Sequence, residues 1–356
     1  MMILLWVVVA FGLYIIERLS LKNIFHGISY DIKPGRKMVE IDEEFTAETI
    51  ITNTKFLPIT SLQASEFMPE DIAFSGENFQ TAMHERGKTF VSDAYLLPRR
   101  KLVRRVKVTL PRRGRYFFRG AVLTAGSFLG FSKAEKNFYF SREVVLPPRP
   151  VKSFVMEKML GNYLGDISVT RFILEDPVLT VGFREYTGRE PMRSISWKQT
   201  ARSGEIMVKN YDHTLDLTVT VILNIHTTIE NYEERLEKLY SMTRTVCEFL
   251  EAAKTPYRFV TNVLTNEGSN WKSVIPDGLG GDHFAVILEV LARATYNHFD
   301  RFEEMMAKVA RSAEQGRCHI LLTPDISPSV YPFLHKLRAR CGRDILILTP
   351  DIDEMD

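Results

Sequence analysis

The order of apolar and polar positions changes rhythm along the chain, and each rhythm predicts a different structure. Met1 to Ile16 carries no charged residue, and Glu17 and Arg18 end the run. At the helical rise this spans about 24 Å, short of the ~30 Å apolar core of a bilayer. Extension through Leu19 and Leu21, with Arg18 and Lys22 reaching back to the headgroups, closes the gap. The pattern predicts a membrane anchor over residues 1–22. A cleaved leader is disfavoured, because no basic residue precedes the run and no small-x-small site follows it. Arg18, Lys22, Lys33, Arg36 and Lys37 all follow the anchor, which predicts a single pass with the bulk of the chain in the cytoplasm.

From about Ser29 to Pro148 the period shortens to two. Phe45 to Asn53 alternates, and Val106, Val108 and Leu110 are set against Arg105, Lys107 and Thr109. Pro111 to Gly114 forms a turn, with Pro fixing the entry and Gly supplying the unusual dihedral. Short strands at this spacing predict an all-β, immunoglobulin-like sandwich over residues 23–150.

Pro147, Pro148 and Pro150 mark a boundary, and residues 151–211 read as a connector whose Gly161 and Gly165 suggest turns. Beyond it, strand-like runs at Leu217–Ile225, Tyr257–Val263, Ile320–Thr323 and Ile345–Leu348 alternate with helical spacing. The helices are expected at Glu230–Ala253, Phe284–Ala294, Phe302–Ala313 and Val330–Arg340. Alternation of this kind predicts an α/β domain over residues 212–356 with an open, mostly parallel, Rossmann-type sheet.

Composition changes this picture little. A formal net charge of +2 singles out no class of partner. Cys247, Cys318 and Cys341 lack zinc-site spacing and are odd in number for a disulfide framework, so they read as core residues in a reducing compartment. Between Arg99 and Arg119 stand ten Lys or Arg residues and no acid. That stretch can lie on anionic lipid, or its charges can simply keep a strand edge from pairing. Aromatic side chains cluster only at Tyr116 to Phe118, which argues against nucleic acid.

The window from Gly182 to Asp212 packs six basic and four acidic residues together with Trp197. Pro191 suits a first helical position and Gly204 a left-handed helix end, so a short helix is expected from Pro191 to Ala201, then a turn and a strand. Its arginines can brace the fold through internal ion pairs or present two-pronged contacts to an anionic partner. Gly182, Arg184, Glu185, Tyr186 and Gly188, followed by Arg193, Ile195, Trp197, Ala201, Arg202 and Gly204, resemble the signature of the bacterial family called domain of unknown function 58. Family members carry a Gly-Asp pair where this chain has Gly188, Arg189 and Glu190, so the carboxylate is displaced by one residue. Arg112, Arg113, Gly114, Arg115, Tyr116, Gly120 and the run Phe128 to Phe131 resemble that family's β-domain.

The resemblance implies a membrane-anchored protein with a von Willebrand factor A-like C-terminal half that works with a MoxR-type AAA ATPase in assembling envelope proteins. In a von Willebrand A domain, an Asp-x-Ser-x-Ser sequence after the first strand holds magnesium. Here the corresponding positions are Asn224, His226 and Thr228, and the lost carboxylate argues against a metal there. The expectation is therefore a non-enzymatic interaction protein with no cofactor. Its partner-binding or bracing motif is Arg184, Glu185, Tyr186, Gly188, Arg193, Trp197 and Arg202. The alternative is a metal- or nucleotide-dependent enzyme using a crevice at Asn224, His226 and Asp325. Gly278, Gly280 and Gly281 lack the Gly-Lys-Ser/Thr of a phosphate loop, and no Gly-x-Ser-x-Gly turn offers a nucleophile.

Overall fold

The computed structural model describes the chain apart from residues 1–5, 7–10, 13, 16, 19–20, 76–79, 85–86, 128–131, 174–179, 189–191, 212–217, 266–272, 327–329 and 353–356. Most of the apolar N-terminal run, the Phe128–Phe131 segment, and Arg189, Glu190, Pro191 and Asp212 thus lie outside the described residues. Two compact units are present, Met1–Arg149 with Leu288–Ala294 and Pro150–Ile287 with Thr295–Asp356.

The first unit contains β1 (Ile28–Pro34), β2 (Phe45–Asn53), β3 (Ile59–Met68), β4 (Ala73–Ser75), β5 (Gln80–His84), β6 (Gly87–Leu96), β7 (Lys101–Thr109), β8 (Gly114–Gly126) and β9 (Lys133–Leu146). They form two antiparallel sheets, ordered β1-β2-β7-β4 and β5-β6-β3-β8-β9. The first has the A-B-E-D order of an immunoglobulin sheet, and β3-β8-β9 has the C-F-G order of its partner. Tyr116, near the start of the F-like strand β8, donates its hydroxyl to the Arg112 carbonyl at 3.0 Å, the bond of a tyrosine corner.

Alternation builds this core as the sequence predicts. Every second residue of β2, from Phe45 to Asn53, is buried. Those side chains meet their counterparts from the facing sheet, so that Phe45, Ala47, Val106 and Val108 cluster with Met68, Phe90, Phe118 and Val144. Two details carry unusual energy. Between β8 and β9 the register shifts at Phe118/Gly120, and Gly120 holds φ +107° with the Phe138 carbonyl where a Cβ would stand. Among the apolar residues Arg104 Nη2 lies 2.6 Å from Glu66 Oε1, and the Glu66 side chain is 1% exposed. The Arg104 guanidinium also covers the Phe90 ring at 4.7 Å and donates to Ser92. Burial pushes the Glu66 carboxyl upward, opposed by Arg104. Tyr30 is raised by burial and then by Glu66.

The second unit opens with α1 (Phe154–Ile173), where the sequence suggests turns. Ser153 starts it by accepting the Met156 N–H at 3.1 Å, the N-cap bond that the glycines at 161 and 165 obscure. Then come β10 (Thr180–Glu185), α2 (Trp197–Ser203), β11 (Met207–Tyr211), β12 (Val219–Leu223), α3 (Glu233–Ala252), β13 (Tyr257–Thr261), β14 (Val263–Thr265), β15 (Val274–Gly278) and α4 (Gly281–Arg293), whose residues from Leu288 onward count with the first unit. β16 (Ala294–His298), α5 (Phe302–Arg311), β17 (Cys318–Leu322), α6 (Tyr331–Cys341) and β18 (Ile345–Leu348) complete the chain. All five residues of β12 and of β17 are buried, so both faces of their sheet are covered. Ile222 and Leu321 pack there with Met306 and Val309 of α5 and Leu337 of α6. The three cysteines are free and buried in this unit.

The expected fold class requires correction. The strand β13 is followed by β15 returning antiparallel beside it, where a Rossmann-type sheet would continue by a crossover. The result is a small mixed sheet, β15-β13-β12-β17-β18, in which β12 pairs parallel with β13 and β17, and β17 with β18. Most of the chain's other strands lie in the antiparallel sandwich sheets. Among the described residues no helix is long and apolar enough to cross a membrane.

Candidate functional site

The signature window folds as the antiparallel hairpin β10/β11 with a short helical excursion between its strands. Phe183 faces Lys209, Arg184 faces Val208 and Glu185 faces Met207 across the ladder. A 3-10 turn at Met192–Ser194 precedes α2, so the expected helix starts later, at Trp197. Gly204 ends it at φ 79°, donating its N–H to the Thr200 carbonyl, as the sequence predicts. Backbone bonds fix the helix to the hairpin: Ser196 N–H donates to Met207 O at 2.8 Å, and Met207 N–H to Thr200 Oγ1 at 3.0 Å. Ile195 bridges to Val208, which is buried.

This bracing leaves Trp197 and Arg202 outward. Helix α2 has no buried residue, and Trp197 is 63% exposed beside exposed Lys198 and Arg202. Met192, Phe183 and Ile206 are exposed large apolar residues of the same element. Arg184 and Glu185 are exposed on β10, Tyr186 is half-buried, and Gly188 takes φ +88° in the loop. Arg193 lies in the 3-10 turn. An aromatic ring and cations on one small, well-anchored platform have the composition of a protein-binding hot spot.

The second candidate lies at the C-terminal end of β12. Asn224 is buried and saturated: its Nδ2 donates to Thr323 Oγ1 at 3.0 Å and to His226 O at 3.2 Å. Its Oδ1 accepts from His226 N–H at 3.0 Å and Asn262 Nδ2 at 2.9 Å. Asn262 Oδ1 accepts the Ile225 N–H at 3.0 Å, and Thr227 Oγ1 donates to Asp325 Oδ2 at 2.8 Å. An asparagine using two donors and two acceptors this way splices the ends of three strands and offers nothing to a cation. His226 stacks tilted on His298 with centroids 4.7 Å apart, and Thr228 is exposed. His298 is held below its usual range by burial, then by His226 and Arg301. No cluster of three metal-ligating side chains occurs among the described residues.

Placing an acid at position 224, as a von Willebrand A domain has after its first strand, is therefore expected to harm the fold without creating a metal site. Asn224→Asp removes the donors to Thr323 and His226 and should cost about 1–3 kcal/mol. Thermal melts with and without magnesium check this. An unchanged melting temperature together with calorimetric magnesium binding would reverse the assignment.

The glycine loop has its own occupant. Gly280 N–H donates to Glu251 Oε2 at 2.8 Å, so a carboxylate already stands where a phosphate loop would hold its anion. Six of the ten basic residues of the Arg99–Arg119 stretch lie in strands, Lys101, Arg104, Arg105 and Lys107 in β7 of one sheet and Arg115 and Arg119 in β8 of the other. Glu48 meets Arg105 at 3.0 Å and Glu44 meets Lys107 at 2.6 Å.

No protein-family model matches the chain, and no curated protein matches it. Solved structures similar to part of the chain include the cohesin module of a Clostridium perfringens family 33 glycoside hydrolase, at 16% identity and TM-score 0.26, covering 33% of this chain and 96% of that one. A type II cohesin domain from the cellulosome of Acetivibrio cellulolyticus matches at 12% identity and TM-score 0.26, covering 33% and 94%. The CARDB domain of a Pyrococcus furiosus protein matches at 13% identity and TM-score 0.23, covering 33% and 91%. At TM-scores of this size the likeness carries nothing further, and the sandwich stands on its own strand order.

Proposed function

We propose that this chain is a non-enzymatic interaction protein, held at a membrane by its apolar N terminus, that docks a partner protein through the α2 platform. One observation carries the proposal: a tryptophan and two cations stand exposed on a helix that buries no residue of its own. A tryptophan left in water is unfavourable by the transfer energy of its apolar surface, and a docked partner recovers that energy. The saturated Asn224 disfavours the alternative of a metal-dependent enzyme at the end of β12. Exposed Trp6, Phe11, Tyr14 and Ile15 support burial of the N terminus in a bilayer.

The resemblance to the domain of unknown function 58 family nominates the partner as a MoxR-type AAA ATPase. The test uses the full chain in mild detergent and the MoxR-type ATPase of the same genome. Trp197→Ala and Arg202→Glu should each weaken association about tenfold or more, the loss typical of a central interface residue. Because both side chains are exposed, melting temperatures should stay unchanged. Equal binding by wild type and both variants would remove the platform from the interface. Absence of any association would remove the ATPase.

A further inference from the structure

A different feature of the sandwich points to a second interaction surface, independent of the α2 platform. Strand β4 has only three residues and pairs with β7 at Lys107, Val108 and Thr109. Strand β5 pairs with β6 only from Gly87 to Val91. Among the described residues, nothing pairs with the outer edge of β7 from Lys101 to Val106 or of β6 from Ser92 to Leu96. These two edges, unpaired among the described residues, belong to opposite sheets, and residues of both line a groove of ≈ 750 Å³.

The backbone on the β7 side is set for pairing. Asn53 N–H donates to the Arg100 carbonyl at 2.9 Å, so residue 100 faces β2. By the alternation of an antiparallel ladder, Lys101, Val103 and Arg105 then turn their N–H and C=O groups away from β2, toward the open side. Lys107 and Thr109, of the same parity, meet β4 there. The end of the edge is fixed by Asn53, whose Nδ2 donates to Leu57 O and Leu97 O, each at 3.0 Å.

Charge decides what such an edge accepts. Arg100, Lys101, Arg104 and Arg105 line the groove; Arg104 is already met by Glu66 and Arg105 by Glu48, and Asp93, the one acid of the lining, accepts from Gln63 Nε2, so Arg100 and Lys101 supply the positive charge. A second copy pairing edge to edge would bring the Arg100 and Lys101 of both copies to one edge, which is unfavourable. An acidic strand meets the opposite situation, and exposed Tyr95, Leu97 and Val103 offer apolar contact to its alternate side chains. We propose that the groove between β6 and β7 captures an extended acidic segment of a partner protein, which adds to β7 as a strand.

The test is anisotropy of a labelled peptide of about eight residues alternating glutamate and valine, titrated with the full chain. It should bind, and the same peptide methylated at its backbone nitrogens should not. Val103→Pro removes an N–H that faces the open side, a position where proline is compatible with an edge strand, and should weaken binding about tenfold or more. Lys101→Glu, at an exposed position, should weaken it similarly and more so at low salt. Failure of the peptide to bind, or binding that methylation and Val103→Pro leave unchanged, overturns strand addition. Binding of the full chain in mild detergent to micelles doped with phosphatidylglycerol, lost in Lys101→Glu, with none to the peptide, makes the surface a lipid contact and also overturns it.

Discussion

Glu66→Ala is expected to lower the stability of the sandwich by about 3–5 kcal/mol, because it leaves the Arg104 guanidinium among apolar side chains without its counter-charge. The pair itself need not be strongly stabilising, since desolvating two charges offsets most of their attraction. Removal of one partner is what costs. Glu66→Leu, which fills the space, should cost nearly as much, and adding Arg104→Leu to it should recover much of the loss, which a simple cavity effect would not allow. Urea denaturation of the two single variants and the double variant measures the coupling. A loss under ~1 kcal/mol for Glu66→Ala, or a double variant no better than the single, would show that water reaches the pair.

Gly120→Ala is expected to be as damaging, at about 3 kcal/mol or more. Its φ of +107° lies where an L side chain is strained, and the added methyl would occupy the position of the Phe138 carbonyl oxygen. That oxygen belongs to β9 backbone held on both sides of the bulge by the β8 ladder, so it has little freedom to retreat. Thermal unfolding monitored by circular dichroism checks this. A melting temperature within a few degrees of wild type would mean that β8 and β9 can slip past the bulge.

Much of the sandwich was legible because its elements answer to a local rule. In β2 the apolar parity marks the buried side residue by residue. Sheet order was not legible: β7 lies beside β2 although residues 54–100 intervene, and no local period encodes a partner. In the C-terminal unit, the positions of α3, α5, α6 and β18 follow their spacing closely. The antiparallel return at β15 was missed because Pro276 and Asp277 break any alternation in Val274–Gly278. Proline in a strand points to an edge, and β15 is one.

The candidate sites divide the same way. Gly204 announced its helix end, because a left-handed residue after a helix is a backbone requirement. The outward placement of Trp197 depends on which face of the hairpin α2 leans against, which the sequence around it does not specify. The Asn224 cluster was invisible as a cluster, since Asn262 and Thr323 reach it from 38 and 99 residues away. Only the lost carboxylate could be read, and it pointed away from a metal for a chemical reason that the hydrogen bonds make concrete.

The distribution of sulfur has a practical corollary. Cys247, Cys318 and Cys341 are all buried, and burial pushes each thiol up, Cys318 to about 11. Alkylating reagents attack the thiolate, so these side chains stay silent until the surrounding helices and strands part. The sandwich has no sulfhydryl at all. Labelling rates in native buffer thus clock the opening of one half of the polypeptide while remaining blind to the other.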